Sequence, residues 1–298
     1  MFCKKNGGYI AIFIGVLISF WVSYKSHAET FEALDVKVEG KGAAVLFIPG
    51  LNSNSSVFTD TCNAVKANNE CHLLTLPGFA GAAPLAADDT DFLANMRDRI
   101  EHYLQAKHLK NVTLVGHSLG GTLSLMIAQH APDKVRSLVI IDALPYYAAI
   151  QNPAATPEIM KPQATQMRAM MLSQPMDDYL KYGTQNLNGM SNNPERVKLL
   201  SEWFKTSDRA TTAAAMYSMM VTDLRQSIAT IKAPTLVLGS WAAYKNFGAT
   251  KESTKAIFAN QYAALKQTDI QMSETGYHFL MWDDADWVNK QIAAALKK

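Results

Sequence analysis

The segment Gly116-His117-Ser118-Leu119-Gly120-Gly121 has the spacing G-x-S-x-G and lies between an apolar run and a run with helical periodicity. In this context the serine occupies a sharp strand-to-helix turn, where its hydroxyl group projects above the sheet as a nucleophile. Glycine is needed at positions 116 and 120 because a side chain there would clash with the closely crossing backbone. The helix that begins at Leu119 places its positive end beside the hydroxyl. The motif therefore predicts Ser118 as a nucleophile, and a structural serine in a turn is the alternative.

The elements that must position this serine alternate along the chain. Ala43 to Ile48 is a continuous apolar run that ends at Pro49-Gly50, which is typical of a strand buried on both faces. Further strand-like and helical segments follow in turn. The strands are expected near residues 71–76, 112–115, 138–141, 235–238 and 270–273, and the helices near 57–67, 88–107, 119–131, 250–265 and 284–296. This alternation predicts a doubly wound α/β fold with a mostly parallel sheet.

The alternation stops after Pro145, where the chain shows only helical periodicity broken by prolines. The sequence therefore predicts a helical cap over residues 145–222, inserted after the strand that ends near Asp142. The cap separates two parts of one core, residues 29–144 and 223–298. Many of the 14 methionines lie in the cap. Methionine suits a deformable apolar wall for a substrate, and simple packing between helices is the alternative.

Residues 1–28 have the composition of an export signal. Two lysines precede an apolar run at 9–22, and Ser26-His27-Ala28 places small residues at positions −3 and −1 of a cleavage site. That apolar run is shorter than the roughly 20 residues that a membrane-spanning helix needs. The sequence therefore predicts an exported protein, periplasmic or secreted, that begins at Glu29. An uncleaved membrane anchor is the alternative.

Cys62 and Cys71 remain when residues 1–28 are removed. An even pair of cysteines in an oxidising compartment predicts a disulfide, and closing so short a loop would contribute ~2–3 kcal/mol in the chain-entropy model. Two free buried thiols are the alternative. The sequence lacks both the CxxC spacing of redox proteins and the spacings of zinc ligands, so we expect no metal site.

The charge balance excludes some classes of partner. The chain has 28 Lys+Arg against 26 Asp+Glu, and charged residues make up 18% of it. These values exclude a polybasic nucleic-acid binder and a disordered acidic chain. We therefore expect no nucleic-acid partner, and we expect a membrane partner only if the N-terminal segment stays uncleaved.

Several further segments make the chain similar to the α/β-hydrolase superfamily over nearly all of the residues after the export segment. Besides GHSLGG they are FIPG at 47–50, LPGFAG at 76–81, TDLR at 222–225 with APTLVLG at 233–239, and GYHF at 276–279. The chain resembles most closely the exported bacterial members whose substrates are poorly defined. The resemblance implies an α/β-hydrolase fold. It also implies that His278 of GYHF is the general base, which takes the proton of Ser118 and returns it to the leaving group.

The third member of the implied triad departs from the family pattern. The family usually places an acid just after the strand that here reads TLVLG, but no carboxylate follows that strand before Glu252. Some members place the acid after the preceding strand, where this chain has Asp142. The resemblance therefore implies Asp142 as the acid that orients His278, with Glu252 or Asp223 as alternatives. For Asp142 a role in capping the turn is the structural alternative.

The resemblance also implies an oxyanion hole built from two backbone N–H groups. Leu119, the residue after the nucleophile, supplies one, and Leu51, in the loop after FIPG, supplies the other. The family often has His-Gly where this chain has Pro49-Gly50. Because only a backbone amide is needed, this difference leaves the mechanism intact.

Together these residues predict an esterase that forms an acyl-enzyme on Ser118 and acts on a small, apolar ester without a cofactor. Three alternatives use the same fold. They are acyl transfer to an alcohol, a peptidase that removes small N-terminal residues, and a catalytically silent binding module. An intact pair of Ser118 and His278 favours the enzymes over the silent module.

Overall fold

The computed structural model describes residue 2 and residues 27–85, 91–150 and 152–297. The predicted export signal at 1–28 lies outside this part of the chain, except for residue 2, His27 and Ala28. The described residues form one eight-stranded sheet in the order β1-β2-β4-β3-β5-β6-β7-β8. Its strands are β1 (His27–Phe31), β2 (Leu34–Gly40), β3 (Ala43–Ile48), β4 (Asn69–Thr75), β5 (Val112–His117), β6 (Val135–Ile141), β7 (Thr235–Gly239) and β8 (Thr268–Met272).

Strand pairing matches the predicted doubly wound architecture. The neighbouring pairs from β4 through β3, β5, β6 and β7 to β8 are all parallel. The pairs β1–β2 and β2–β4 are antiparallel. The helices are α1 (Thr59–Val65), α2 (Phe92–Ala106), α3 (Leu119–His130), α4 (Pro157–Ser173), α5 (Met176–Gln185), α6 (Pro194–Thr206), α7 (Arg209–Val221), α8 (Lys251–Gln261), α9 (Leu280–Asp283) and α10 (Ala285–Ala295).

The sheet separates two apolar cores, and β3 shows why its residues are apolar on both faces. Successive side chains of a strand point to opposite faces. Leu46 and Ile48 accordingly pack in one buried cluster, together with residues of α2 and α3. Val45 and Phe47 pack in the other cluster, together with residues of α1 and α10. The continuous apolar run that predicted this strand is therefore required by burial on both sides.

Between β6 and β7 the described residues form helices and loops but no strand, as the sequence predicts, and α4 to α7 lie within the expected limits 145–222. Two prolines of this segment begin helices, whereas Pro162 lies inside α4. Pro157 and Pro194 occupy the first turns of α4 and α6, where a missing N–H costs nothing. Thr156 and Asn193 cap the same helices with their side-chain oxygens.

The hairpin formed by β1 and β2 is absent from the sequence-based expectations. Its two-residue turn consists of Glu32 and Ala33, which have φ values of 46° and 69°. A two-residue hairpin turn needs positive φ at both positions and is normally marked by Asn-Gly or Asp-Gly. Because this turn uses neither glycine nor asparagine, the usual indication of a hairpin is missing. The predicted cleavage site after Ala28 falls inside β1.

Cys62 in α1 and Cys71 in β4 are buried free thiols, so the predicted disulfide is wrong for this structure. The Cys71 sulfur lies 3.8 Å from the backbone carbonyl oxygen of Cys62, to which its thiol donates. The interaction between the two thiol side chains lowers the pKa of Cys62 and, together with burial, raises the pKa of Cys71. Both sulfurs lie within an apolar core.

No helix in residues 27–85, 91–150 and 152–297 is both long enough and apolar enough to cross a membrane.

Candidate active site

Ser118 lies between the last residue of β5 and the first residue of α3, at φ 52° and ψ −121°. Non-glycine residues rarely adopt this backbone conformation, and the surrounding hydrogen bonds must hold it in place. The Ser118 N–H donates to the carbonyl oxygen of Ile141 at 2.9 Å, which ties the turn to β6. The N–H groups of Gly121 and Thr122 donate to the Ser118 carbonyl oxygen at 2.8 and 3.1 Å. The strained turn that the sequence motif predicts is therefore present.

The glycines of the motif are required by close backbone contacts. A Cβ atom added to Gly120 would lie 2.0 Å from the carbonyl oxygen of Ile48 and 2.6 Å from that of Pro49. A Cβ atom added to Gly116 would lie 2.2 Å from the Gly120 carbonyl oxygen. The end of β3 thus crosses directly over the start of α3. This crossing brings the loop after β3 to the serine.

Asp142 and His278 come together although 136 residues separate them in the chain. The His278 Nδ1–H donates to Oδ2 of Asp142 at 2.7 Å. Asp142 follows β6 directly at φ 46°, and its side chain is only 11% exposed. A proton held on Nδ1 leaves Nε2 of the imidazole free to accept one. This is the tautomer that a general base for a serine hydroxyl requires.

The other candidate acids lie elsewhere. Glu252 is exposed in the first turn of α8. Asp223 forms an ion pair with Arg225 at 2.7 Å. Among the described residues that were candidates for the acid, Asp142 is therefore the one that contacts His278.

Ser240 is a residue of the site that the sequence analysis missed. Its N–H donates to Oδ1 of Asp142 at 2.7 Å, and its hydroxyl group donates to Oδ2 at 2.8 Å. With the contact from His278, the carboxylate therefore accepts three hydrogen bonds. The only indication in the sequence was that Ser240 directly follows β7. Because β6 and β7 are parallel neighbours, Ser240 and Asp142 lie at the same end of the sheet.

The two backbone amides expected to form an oxyanion hole lie on either side of the nucleophile. Leu119 begins α3, and Leu51 follows Gly50 in the loop after β3. A Cβ atom added to Gly50 would lie 3.1 Å from Cβ of Ser118, so this loop packs directly against the serine. Within the part of the chain that is described, neither the Leu51 nor the Leu119 N–H donates a backbone hydrogen bond. Both amides are thus left without a backbone acceptor among the described residues.

His117 links the nucleophile turn to the segment that carries His278. Its Nε2–H donates to the backbone carbonyl oxygen of His278 at 3.0 Å, and the two imidazole rings lie 4.6 Å apart. Complete burial, with a smaller effect of His278, lowers the pKa of His117 well below its usual range. The ring therefore stays neutral and serves as a hydrogen-bond donor rather than as a base.

A separate group of possible metal ligands lies on α2 and α3. Oxygen and nitrogen atoms of Asp98, Glu101 and His130 lie within 4.8 Å of one another. These side chains already pair with their neighbours, since His130 contacts Glu101 at 2.6 Å and Asp98 contacts Arg97 at 2.6 Å. The arrangement is accounted for as surface ion pairs.

The chain is similar in sequence and in structure to known hydrolases. Residues 43–181 match the family described as alpha/beta hydrolase fold. Over 116 residues the chain is 31% identical to pimeloyl-[acyl-carrier protein] methyl ester esterase of Vibrio atlanticus, a match that covers 39% of this chain and 42% of that protein. The chain therefore spans less than half the length of this curated relative.

Two solved structures share nearly the whole fold. An esterase from Exiguobacterium antarcticum superposes with a TM-score of 0.71 at 18% identity, covering 89% of this chain and 96% of that one. The enol-lactonase from Burkholderia xenovorans superposes with a TM-score of 0.72 at 13% identity, covering 91% and 100%. At these identities the likeness concerns the fold.

Proposed function

This chain belongs to the α/β-hydrolase superfamily, and from that premise we propose that it is a serine hydrolase that cleaves a carboxylic ester. The observation that carries the proposal is the 2.7 Å hydrogen bond between His278 and Asp142, which orients an imidazole whose ring lies 4.6 Å from that of His117, the residue before Ser118. The named activities of the similar proteins, which include methyl ester and other esterases, support the same reaction class.

In the proposed reaction, Nε2 of His278 takes the proton of Ser118 while Oγ attacks the ester carbonyl carbon. The negative charge that develops on the carbonyl oxygen is stabilised by the N–H groups of Leu119 and Leu51. Collapse of this intermediate breaks the bond to the alcohol, which leaves with the proton from His278. A water molecule then repeats the sequence on the acyl-enzyme and releases the acid. Asp142 stabilises the imidazolium in both halves.

The proposed substrate is a small molecule with an apolar acyl or alcohol part. Apolar side chains are exposed on the cap, among them Ile159 and Met170, and on the turn after β7. Tyr244 in that turn is 57% exposed, and its partial desolvation, together with the charge of Asp142, raises its pKa. Tyr244 is thus a neutral aromatic group close to the triad acid. Such surroundings favour apolar ligands over charged ones.

We further propose that the protein is exported and loses its first 28 residues. The proposal is supported by the composition of that segment and by a folded sheet whose first strand begins at His27. Cleavage after Ala28 would retain Glu29 to Phe31 of β1, which pair with residues 34–36 of β2. The Glu29 carboxylate also pairs with Lys107 at 2.6 Å, which fixes this end of the strand to the core.

The experiment that tests the hydrolase is labelling with a fluorophosphonate probe together with hydrolysis of p-nitrophenyl acetate. The wild-type protein should show both activities, and Ser118→Ala should remove both, because the probe and the ester react with the same oxygen. Ser201→Ala is the matched control, since among the described residues this hydroxyl bonds only to its own helix in the cap, at Val197. Ester turnover that survives Ser118→Ala would overturn the nucleophile assignment. A wild-type protein that is neither labelled nor active would indicate the silent binding module instead.

A further inference from the structure

The carboxylate of Asp283 joins the cap to the segment that carries His278. Asp283 is the last residue of α9. Its Oδ1 accepts a hydrogen bond from the hydroxyl group of Ser191 at 2.5 Å. Its Oδ2 accepts from the backbone N–H of Asn192 at 3.0 Å and from the N–H of Tyr277 at 3.0 Å. Ser191 and Asn192 belong to the cap, whereas Tyr277 directly precedes His278, so one charged group bridges the two.

Two further hydrogen bonds connect the same segments. The N–H of Phe279, the residue after His278, donates to the carbonyl oxygen of Met190 at 3.1 Å. The side-chain amide of Asn192 donates to the carbonyl oxygen of Thr275 at 3.3 Å. The main chain is therefore bound to the cap on both sides of His278.

Aromatic packing strengthens this contact between cap and core. The Trp282 ring stacks on Phe279, with centroids 5.0 Å apart and an interplanar angle of 15°. On its cap side the same ring contacts Trp203 of α6 at 5.7 Å, and the guanidinium group of Arg196 lies 4.7 Å from its centroid. Trp282 directly precedes Asp283 in the chain. The contacts of Trp282 with α6 therefore help to place Asp283, which in turn binds the segment that carries His278.

The side chain and the main chain of His278 are thus held by different parts of the molecule. The imidazole is oriented by Asp142 and the carbonyl oxygen by His117, both of which belong to the core. The flanking residues are held by the cap through Asp283 and Met190. A hydrogen bond to an ionised group is roughly twice as strong as a neutral one. The Asp283 carboxylate therefore makes the strongest hydrogen bonds between the cap and the segment that carries His278.

We propose that Asp283 is a positioning residue, which couples docking of the cap to the placement of His278. The inference rests on the proposed function, because it takes His278 as the base. When the cap segment 190–192 is in contact with Asp283, the imidazole lies where it can serve Ser118. When this contact is lost, the loop is released and the base is misplaced, although the triad residues themselves are unchanged.

Three variants test this coupling. Asp283→Asn replaces an acceptor by a donor that faces existing donors, and Ser191→Ala removes one cap contact without changing any charge. Asp286→Asn is the control for charge, since this exposed carboxylate lies three residues away and has no hydrogen-bond partner among the described residues.

With p-nitrophenyl acetate, kcat should fall about tenfold or more in Asp283→Asn and about threefold in Ser191→Ala. KM should stay within about twofold of the wild type, because transition-state rather than ground-state contacts are lost. The control should keep the wild-type kcat.

A spectroscopic readout separates this proposal from the proposed hydrolase. The Nδ1 proton of His278, identified by its loss in Asp142→Asn, should exchange with water faster in Asp283→Asn and Ser191→Ala than in the wild type or in Asp286→Asn. This NMR measurement needs no turnover, so it decides the coupling even if the wild-type protein proves inactive. Wild-type kcat and unchanged proton exchange in folded Asp283→Asn would overturn the proposal. If Asp283→Asn does not fold, the same two results in Ser191→Ala would overturn it.

Discussion

At the scale of single residues, Asp142 is the most tightly determined group of the site. Its backbone has a positive φ, its N–H donates to the carbonyl oxygen of Leu238 at 2.7 Å, and its carboxylate accepts from Ser240 and His278. A residue that only capped the turn would need the contact with β7 but not the contact with the imidazole. The two roles therefore predict different effects of a substitution.

We expect Asp142→Asn to lower kcat by up to ~10⁴-fold, because the imidazole loses the acceptor that fixes its tautomer. The effect on thermal stability should be small beside this, since the amide has nearly the same shape. Glu252→Gln, measured alongside for kcat and Tm, should behave as the wild type. If Glu252→Gln loses activity while Asp142→Asn retains it, the acid follows β7 and the assignment of Asp142 is wrong.

Buried histidines make stability depend on pH. Burial lowers the pKa of His117 and of His72, so the unfolded chain binds protons more readily than the native protein as pH falls below about 6.5. The free energy of unfolding should therefore decrease from pH 7.5 to pH 5.5, as measured by urea denaturation. In His72→Gln this decrease should be smaller, whereas the exposed His108→Asn should keep the wild-type slope. An unchanged slope in His72→Gln would contradict this source of acid sensitivity.

At the scale of elements, the sequence predicted those whose pattern is local. Burial on both faces made β3 recognisable, and its bounds are those of the apolar run. The turn at Ser118 was recognisable because Gly116 and Gly120 stand at fixed positions on either side of the serine in the sequence. Ser240 and Asp283 could not be found in this way, since their partners lie 98 and 92 residues away in the chain. Their roles depend on how separate elements pack, and no local pattern records that.

The crossing of β3 over α3 gives a prediction at this scale. Gly120→Ala should lower the free energy of unfolding by about 1–3 kcal/mol or more, because its Cβ would overlap the backbone at Ile48. Ester turnover should fall with it, since the same backbone leads to the oxyanion loop. The control is Gly189→Ala in the cap, where an added Cβ meets no atom within 4 Å. If the two variants are equally stable in urea, the backbone at the crossing of β3 and α3 can shift to accept the added Cβ atom, and the prediction is wrong.

At the scale of the whole molecule, the first strand lies at one edge of the sheet and the proposed cleavage site lies within it. β1 pairs only with β2 in the sheet order, so loss of His27 and Ala28 removes two residue pairs at the margin and none near the site. The contacts that cleavage would remove therefore lie at the edge of the sheet.

Mass spectrometry of the protein from its own host tests this export proposal. The intact mass should correspond to a chain that begins at Glu29, and its cysteines should react with an alkylating reagent after unfolding, because both are free thiols. A chain that still begins at Met1 would contradict export with cleavage. Alkylation before and after reduction serves as the internal control for the cysteines.

The order in which the parts of the site occur along the chain also governs when the protein can act during its synthesis. Ser118 and Asp142 are made first, the cap next, and His278 after both. Helix α10, which packs against α1 on one face of the sheet, follows His278 in the chain. A nascent chain on the ribosome, or one that stops early, thus carries a serine without its base. The proposed chemistry therefore requires a chain that has been synthesised beyond His278.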